Sequence, residues 1–462
     1  MGELNGAGAG AGVDPGLVAR LSEREKERFE REHPRSRELH RRAQGSLLSG
    51  VPMNWMTRWP GSFPVFVAEA HGASVTDVDA NPYVDLCLGD TGAMSGHSPE
   101  PTARAVSEQA RRGITTMLPV ADAFEVGEEM RRRFGLRHWQ FSLSATDANR
   151  FAIRISRQIT GRSRILVFNG CYHGSVDETV VSIDADRVVS REGSVGPPVD
   201  PSLTTRVVEF NDVAALEREL ARGDVACVLA EPALTNIGIV LPDVGFHDEL
   251  RRLTREAGTL LIIDETHTLC CGPGGYTAAE GLEPDLLTIG KPIAGGVPIG
   301  VYGLSEAVGE RVLEQTIWEV ADVGGVGGTL AGNALSLAAA RATLAEVLTE
   351  QAFKRMIALA ERFEAGVAGA IAERELPWQV TRLGCRAEYM FASEAPRSGA
   401  EAEAAMDHGL DELLHLYMLN RGILLTPFHM MALMSPATSE SDVDAHTAAF
   451  AEVAAELTGG AA

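Results

Sequence analysis

The sequence predicts an α/β protein that has a large, mainly parallel sheet and a second, smaller α+β lobe. Between residues 101 and 344, compact apolar runs recur and longer helical patterns separate most of them. That alternation is typical of a parallel sheet covered by helices on both faces. From residue 345 to 462, helical patterns mix with short strands. With 462 residues, 45% of them hydrophobic, the chain is long enough to form two lobes.

The first hundred residues have a different pattern. Residues 1–13 are rich in Gly and Ala and have no apolar face, so we expect a disordered tail. A charged helical pattern follows from Asp14 to about Gln44 and is broken at Pro34. Alternating residues in PVFVAEAHGASVTDVDANPYVDL then predict short strands joined at a turn near Asp79–Asn81. We therefore assign residues 14–100 to an N-terminal segment that contributes to the smaller lobe.

Residues 101–344 are predicted to form the large domain, and residues 345–462 the C-terminal small domain. The strands of the large domain are predicted at Trp139–Leu143, Arg164–Phe168, Val225–Ala230, Leu260–Asp264 and Leu286–Gly290. Its helices are predicted at Asp147–Thr160, Ala214–Arg222 and His247–Ala257, and an Ala-rich helix is predicted after Leu330.

Composition narrows the class of function. The formal charge is −23 and no long basic block occurs, so nucleic acid and membrane are not expected as partners, and a small-molecule substrate is. No apolar stretch reaches the ~18 residues of a membrane span, and the N-terminus does not resemble a signal peptide, so a cytoplasmic location is expected. The six cysteines show no C-x-x-C pair and are expected to be reduced and buried, although the vicinal pair Cys270–Cys271 leaves a redox switch open. We predict no metal site.

Two residues stand where a parallel sheet binds its ligands, at the carboxyl ends of neighbouring strands. Asp264 ends one apolar run, and Lys291 follows the next in LLTIGKPIAGGVPIG. Burial in such a setting disfavours an ammonium ion and suits an amine that must attack an aldehyde. Asp264 could hold a buried cation such as a protonated pyridine nitrogen. The alternative interpretation is a solvated lysine at a strand end.

A third feature lies at the start of the helix that follows the strand Trp139–Leu143. Ser144, Ala145 and Thr146 lie between strand and helix, where free backbone N–H groups and the helix dipole suit a phosphate. An ordinary N-cap is the alternative interpretation. Dinucleotide and nucleoside-triphosphate sites are not predicted, because no G-x-G-x-x-G follows a strand and Gly290-Lys291 lacks the rest of a P-loop.

These residues belong to a series of motifs whose order and spacing resemble the class-III aminotransferases among fold-type-I pyridoxal-phosphate enzymes. The resemblance is greatest to the branch of glutamate-semialdehyde aminomutases and ω-transaminases. It extends from about Val51 to Phe450 and includes SATDANRFAIRISRQITGR, FNGCYHG, EPALTNIG, GTLLIIDETHT, PDLLTIGKPIAGGVPIGVYG and GGTLAGNALSLAA. It implies a fold-type-I transferase fold, pyridoxal 5'-phosphate as cofactor, and a homodimer that shares its active sites.

The resemblance also implies roles for individual residues. Lys291 is similar to the lysine that binds the cofactor covalently and shuttles the substrate proton, and Asp264 to the partner of the pyridine nitrogen. Further positions match residues that contact the ring, its hydroxyl or its phosphate: Ser144, Ala145, Thr146, Tyr172, His173, Glu231, Asn236, Thr266, Gly328 and Thr329. Among them, Thr329 resembles the threonine that reaches the phosphate of the neighbouring subunit.

Some positions depart from the family pattern. The phosphate turn usually reads Ser-Gly-Thr-Glu-Ala, whereas this chain has Ala145 and Asp147; alanine supplies the same N–H unless the position needs a positive φ. The segment that begins at Asp90 is polar where aminomutases carry an aromatic near the substrate. The aminomutase's N-terminal substrate arginine has no secure counterpart, since Arg58 lies one or two places off.

A substrate carboxylate calls for an arginine, whose fork binds it in a bidentate way. Arg386 and Arg58 are the candidates, and Asp90 is expected near the substrate. For Arg386 the alternative interpretation is an ion pair with Glu388, and for Arg58 a surface arginine that covers aromatic side chains.

From the polar pocket segment and the misplaced arginine we expect a transaminase that acts by a ping-pong mechanism. It would move an amino group from an amine or a β-amino acid, as donor, to a 2-oxo acid, as acceptor. The alternative is an aminomutase that shifts the amino group within one molecule. A non-catalytic cofactor-binding protein is a remote alternative, because fold does not fix function.

Overall fold

A computed structural model of the chain describes residues 11–185 and 187–459. The contacts divide it into two units. The first contains the described residues up to Ser98, Lys354–Ala395 and the described residues from Ala404 onward. The second contains Pro99–Phe353 and Pro396–Glu403. The predicted domain boundaries remain predictions, and residues 1–10 of the predicted tail lie outside the described residues.

The strands, in chain order, are β1 (Val67–His71), β2 (Ser74–Asp77), β3 (Pro82–Asp85), β4 (His138–Ser142), β5 (Arg164–Phe168), β6 (Val181–Asp184), β7 (Arg187–Ser190), β8 (Thr205–Val208), β9 (Val225–Ala230), β10 (Leu260–Asp264), β11 (Leu286–Ile289), β12 (Gly300–Leu304), β13 (Gln379–Leu383), β14 (Arg386–Met390), β15 (Ile423–Leu424) and β16 (Met431–Leu433).

The α-helices are α1 (Pro15–Glu32), α2 (Pro34–Ala43), α3 (Glu100–Ala110), α4 (Ala121–Phe134), α5 (Ala145–Thr160), α6 (Val213–Leu220), α7 (Phe246–Ala257), α8 (Gly275–Ala279), α9 (Glu306–Gln315), α10 (Ala334–Ala342), α11 (Glu350–Glu373), α12 (Gly399–Ala404), α13 (His408–Leu419) and α14 (Glu440–Leu457). A π-helical turn, Thr343–Val347, follows α10.

The second unit is built on a seven-stranded sheet in the order β4-β12-β11-β10-β9-β5-β8. The neighbours from β11 to β8 pair in parallel, and β12 runs antiparallel to both β11 and β4. Strands β9, β10 and β11 are buried along their whole length, which explains their continuous apolar sequence. Their carboxyl ends therefore meet at one edge of the sheet.

Helix α5 brings its first turn to this sheet, packing against β9, β11 and β12. Ser144 caps the helix by accepting a hydrogen bond from the Asp147 amide, and Gly161 ends it with φ +70°. The buried side chains of α5 repeat at helical spacing, among them Ala148, Phe151 and Ile155. The strand-to-helix turn at Ser144 is thus fixed by both a cap and a buried face.

The first unit contains two smaller sheets. One has the order β1-β2-β3-β15 and the other the order β13-β14-β16. A core of Phe29, Phe63, Val75, Tyr83, Leu416 and Leu419 joins α1 and α13 to the first of them. Residue Ala11, near the start of the described chain, is buried, and its carbonyl accepts a hydrogen bond of 2.8 Å from Trp378 Nε1.

The predicted α/β class with a large, mainly parallel sheet is confirmed. Two strands of that sheet, β8 and β12, were not predicted. The first is a four-residue edge strand, and the second is the antiparallel strand that returns directly after β11 without a long helix. No helix of the described residues is long and apolar enough to cross a membrane.

Candidate active site

Lys291 and Asp264 lie at the same edge of the seven-stranded sheet because β10 and β11 are parallel neighbours. Asp264 pairs in register with Thr288, and the Glu265 amide donates to the Thr288 carbonyl at 2.9 Å. Three residues beyond this pair, the segment after β10 carries His267 and the segment after β11 carries Lys291. The two side chains meet, with Nζ of Lys291 2.9 Å from Nε2 of His267.

The backbone at Lys291 adopts a conformation that is uncommon for lysine. Its φ is +41°, in the left-handed region, which typically costs a non-glycine residue about 1 kcal/mol or more. Gly290, immediately before it, approaches the start of α5 so closely that a Cβ there would lie 2.9 Å from the Ala145 nitrogen. The lysine is therefore held beside the first turn of α5 by a strained residue and an obligatory glycine.

Asp264 is buried, and three groups donate hydrogen bonds to its carboxylate. Oδ2 accepts from His173 Nδ1 at 2.9 Å and from Asn149 Nδ2 at 2.8 Å, and Oδ1 accepts from the Thr266 amide at 3.1 Å. Burial alone would raise the pKa of Asp264, but these donors outweigh it and lower the pKa. The site thus keeps an ionised carboxylate at the end of β10.

His173 and Tyr172 come from the loop after β5. His173 is buried; its burial would lower its pKa, but the neighbouring Cys171 and Asp264 raise the pKa to about 10. Tyr172 is 45% exposed, and its backbone amide donates to Glu231 Oε1 at 3.1 Å. The histidine therefore lies in the interior beside the carboxylate, while the tyrosine side chain is partly exposed.

Glu231 and Asn236 form a separate small network. Glu231 Oε2 accepts from Thr235 Oγ1 at 2.5 Å and from Asn236 Nδ2 at 3.3 Å. Burial raises the pKa of the Glu231 carboxyl. The hydrogen bond from the Tyr172 backbone amide to the Glu231 carboxyl links this network to the loop that carries His173.

The first turn of α5 has an ordinary backbone in spite of its unusual sequence. Ala145 begins the helix and is not among the residues with positive φ, so the turn does not require glycine there. The amides of Ala145 and Thr146 belong to the helical turn that has no partners within the helix. Thr146 Oγ1 accepts from the Ser175 amide at 3.3 Å. The turn therefore offers backbone donors to an anion.

Two contacts of this site were not predicted from the sequence, although both residues lie in quoted motifs. Asn149 is fully buried on α5 and joins Asp264 to Thr288, whose Oγ1 donates to Asn149 Oδ1 at 2.6 Å. His267 is buried and contacts Lys291. For Asn149 a sequence signal was available, because it is an asparagine among the apolar positions of a predicted helix.

Gly328 and Thr329 lie in an exposed segment of the second unit. Apolar side chains of the same segment are exposed as well, among them Val323 at 87% and Leu330 at 49%. The structure contains one chain and therefore does not describe contacts of this segment with a second subunit. The predicted role of Thr329 stays a prediction.

The three predicted substrate residues belong to the first unit. Arg386 is fully buried on β14, and Arg58 is exposed with its guanidinium 6.0 Å from the Phe428 ring centre. Glu388, the expected ion-pair partner of Arg386 in the alternative interpretation, pairs with His429 at 2.8 Å. Asp90 has φ +50° in a left-handed turn. Their roles towards a substrate stay predictions.

Comparison with known proteins identifies the family. The model of class-III aminotransferases matches residues 55–453. A glutamate-1-semialdehyde 2,1-aminomutase of Anaeromyxobacter sp. is 34% identical over 408 residues, which are 86% of this chain and 93% of that protein.

Solved structures agree with this assignment. A glutamate-1-semialdehyde-aminomutase from Pseudomonas aeruginosa PAO1 is 52% identical with a TM-score of 0.94, covering 96% of this chain and all of that one. Its lysine-to-alanine variant was solved in complex with PMP. A β-phenylalanine aminotransferase from Variovorax paradoxus is 26% identical with a TM-score of 0.83, covering 94% of this chain and 97% of that one.

These findings correct the expected function. Transamination between an amine or β-amino acid donor and a 2-oxo acid acceptor was wrong, because the relatives at 34% and 52% identity are aminomutases. Lys291 and Asp264 could not separate the two reactions, since both use the same cofactor chemistry. The polar segment at Asp90 and the displaced Arg58 were therefore given too much weight. The fold-type-I fold and pyridoxal phosphate as cofactor are confirmed, and the chain is an enzyme of the class-III aminotransferase family.

Proposed function

We propose that this protein is a glutamate-1-semialdehyde 2,1-aminomutase-type isomerase, which moves an amino group to the neighbouring carbon of the same molecule. The observation that carries the proposal is the 52% identity, over 96% of the chain, to the aminomutase from Pseudomonas aeruginosa PAO1. The β-phenylalanine aminotransferase from Variovorax paradoxus is 26% identical to this chain, half the value for the aminomutase.

The residues at the sheet edge fit pyridoxal phosphate. Asp264, with its lowered pKa, suits the positive charge of a protonated pyridine nitrogen, and the amides of Ala145 and Thr146 suit a phosphate. Lys291 would bind the aldehyde, with Tyr172 and Thr266 against the ring. When bound, the cofactor supplies an electron sink that makes the hydrogen of a carbon beside nitrogen acidic.

Lys291 has two proton transfers to perform in this isomerisation. The carbon that loses nitrogen also loses its hydrogen, and the carbon that gains nitrogen gains one. Lys291 would act as the acid–base group at both carbons, taking the proton from one and giving a proton to the other, while the bound cofactor would hold the electron pair and hydrogen in between. The contact of Nζ with His267 Nε2 at 2.9 Å supports this proposed role of the amine.

The active protein is proposed to be a homodimer acting on a small molecule. Exposed apolar side chains next to Thr329, Val323 and Leu330 among them, support a second copy as the partner of this segment. We propose that Thr329, together with Gly328, reaches the phosphate site of the other subunit.

The test is isomerisation in the absence of any amino donor or 2-oxo acid. Purified protein with cofactor should convert glutamate-1-semialdehyde into 5-amino-4-oxopentanoate, measured by the pyrrole that this product forms with a diketone. Lys291→Ala should lose this activity while Lys354→Ala, the same change in the first unit, should keep it. No conversion by a folded, cofactor-loaded wild-type protein would refute the proposal.

A further inference from the structure

His267 and Lys291 each lie three residues beyond the last register pair of β10 and β11, Asp264 and Thr288. Beyond this pair the two segments continue side by side, and Nε2 of His267 lies 2.9 Å from Nζ of Lys291. The contact therefore follows from the pairing of two buried parallel strands. It is not an accidental meeting of two flexible side chains.

The histidine is held in place by its surroundings. It is buried, and it precedes a short 3₁₀ turn, Thr268–Cys271. The turn is fixed by Glu265, whose carboxylate accepts hydrogen bonds from Thr268 Oγ1 and the Tyr276 amide. The carbonyl of the same Glu265 accepts from the Leu269 amide at 3.0 Å. A ring fixed in this way can orient the lysine.

We infer that His267 is a positioning residue, which accepts a hydrogen bond from the ε-nitrogen of Lys291 and thereby aims the lysine during the two proton transfers. An ammonium ion has three N–H donors and no acceptor, so a protonated Lys291 can bond this ring only if Nε2 accepts. The ring proton then lies on Nδ1.

The same bond orients the neutral amine. One N–H of Lys291 points at Nε2, so the nitrogen lone pair points away from His267 and is available to take a proton. When the amine becomes an ammonium ion, the bond becomes charge-assisted and stronger. His267 neither gains nor loses a proton in this scheme; Nζ takes a proton from one substrate carbon and gives a proton to the other, and the electron pair would be held in between by the bound cofactor.

The inference rests on the proposed function, but its test does not depend on turnover. The chain has three lysines, Lys26, Lys291 and Lys354, so each can be followed separately by mass spectrometry. The cofactor-free full-length protein is labelled at neutral pH with a limiting amount of acetic anhydride, which reacts only with the neutral amine. The labelling rate of Lys291 is expressed relative to the rates of the other two lysines.

In His267→Met the acceptor is lost, the ammonium ion is less stabilised, and we expect Lys291 to be labelled about tenfold faster. His267→Gln carries an oxygen near the position of Nε2 and should stay within about twofold of wild type. His267→Asn, whose amide is too short, should resemble His267→Met and replaces that variant if it does not fold. An unchanged or slower rate in the variants without an acceptor would overturn the inference, as would a glutamine variant that behaves like methionine.

Turnover then separates the two proposals. If the cofactor-loaded protein isomerises glutamate-1-semialdehyde, kcat should fall at least about tenfold in His267→Met and be largely restored in His267→Gln, with KM changed less than kcat. If the protein does not isomerise it, the labelling result still decides whether His267 holds the lysine. Normal kcat in His267→Met would overturn the inference and leave the proposed function intact.

Discussion

Nδ2 of Asn149 lies 2.8 Å from Oδ2 of Asp264, so a residue in the second turn of α5 holds the carboxylate at the end of β10. Thr288 of the neighbouring strand completes the chain by donating to Asn149 Oδ1 at 2.6 Å. All three side chains are buried. The helix and two strands are thus joined by a polar connection inside an otherwise apolar layer, which makes the loss of any member costly.

The first prediction concerns this connection. Asn149→Leu leaves Thr288 Oγ1 without its acceptor and removes one of the donors to Asp264 Oδ2, so the free energy of unfolding should fall by about 3 kcal/mol. Thr288→Val, the matched control, removes only the outer bond and should cost about 1–2 kcal/mol. The double variant should lose less than the sum, because both changes act on one network. Denaturant titrations at a fixed cofactor concentration measure all three; an additive loss would contradict the connection.

The second prediction is that Asp264→Asn lowers the isomerisation rate by at least about 10²-fold, the typical effect of removing one preorganised electrostatic partner. The donors that lower the pKa of Asp264 would then face a neutral amide, and the positive charge expected on the bound cofactor would lose its partner. Asp248→Asn makes the same change of charge at an exposed position of α7 and serves as the control. Equal rates in the two variants would show that another group holds the charge.

The sequence supports more of the fold than of the site. Strands β5, β9 and β10 begin and end where their apolar runs do, because a strand buried on both faces has no polar positions to blur its ends. Strand β12, with sequence GVYGL, was missed since it contains two glycines and follows a glycine-rich segment. The common edge of Lys291 and Asp264 followed from parallel strands alone.

The remaining contacts of the site depend on tertiary packing, which produces no recognisable pattern in the amino-acid sequence. Asn149 reaches Asp264 because α5 lies on the sheet, and its partner is 115 residues away in sequence. His267 meets Lys291 only because the register pairs Asp264 with Thr288, and register was not predictable from the apolar runs. The motifs could not determine which reaction is catalysed either, because a lysine and an aspartate that suit the cofactor suit every reaction of the family.

The third prediction is a pH effect in the first unit. His446 is fully buried on α14 beside Phe363, and neither ring nitrogen has a hydrogen-bond partner among the described residues. Burial lowers the pKa of His446 to about 3, against about 6.5 in an unfolded chain. Below about pH 6.5 the unfolded state therefore binds more protons than the folded state, and stability falls as pH falls.

His446→Phe should remove this loss and fit the aromatic neighbours. We expect its free energy of unfolding to exceed that of wild type by about 2 kcal/mol more at pH 5 than at pH 8, since each pH unit below the unfolded pKa is worth about 1.4 kcal/mol. Unfolding at both pH values under otherwise equal conditions measures the difference. The same gain or loss at the two pH values would show that His446 does not titrate in this way.

The fourth prediction is that Thr329 serves the other subunit of the dimer. Thr329→Ala should weaken cofactor binding by about 1.5–3 kcal/mol, the loss of one hydrogen bond to a charged group. In a heterodimer of a Lys291→Ala chain and a Thr329→Ala chain, a threonine acting across the interface leaves one site without both groups and the other site intact. The intact site should retain cofactor through dialysis as wild type does, measured after borohydride reduction fixes the cofactor to Lys291.

If Thr329 acted within its own chain, every site would lack one group, and the heterodimer would lose cofactor as readily as the Thr329→Ala homodimer. Thr329 and the apolar residues around it are exposed on the single chain, so we expect the first result.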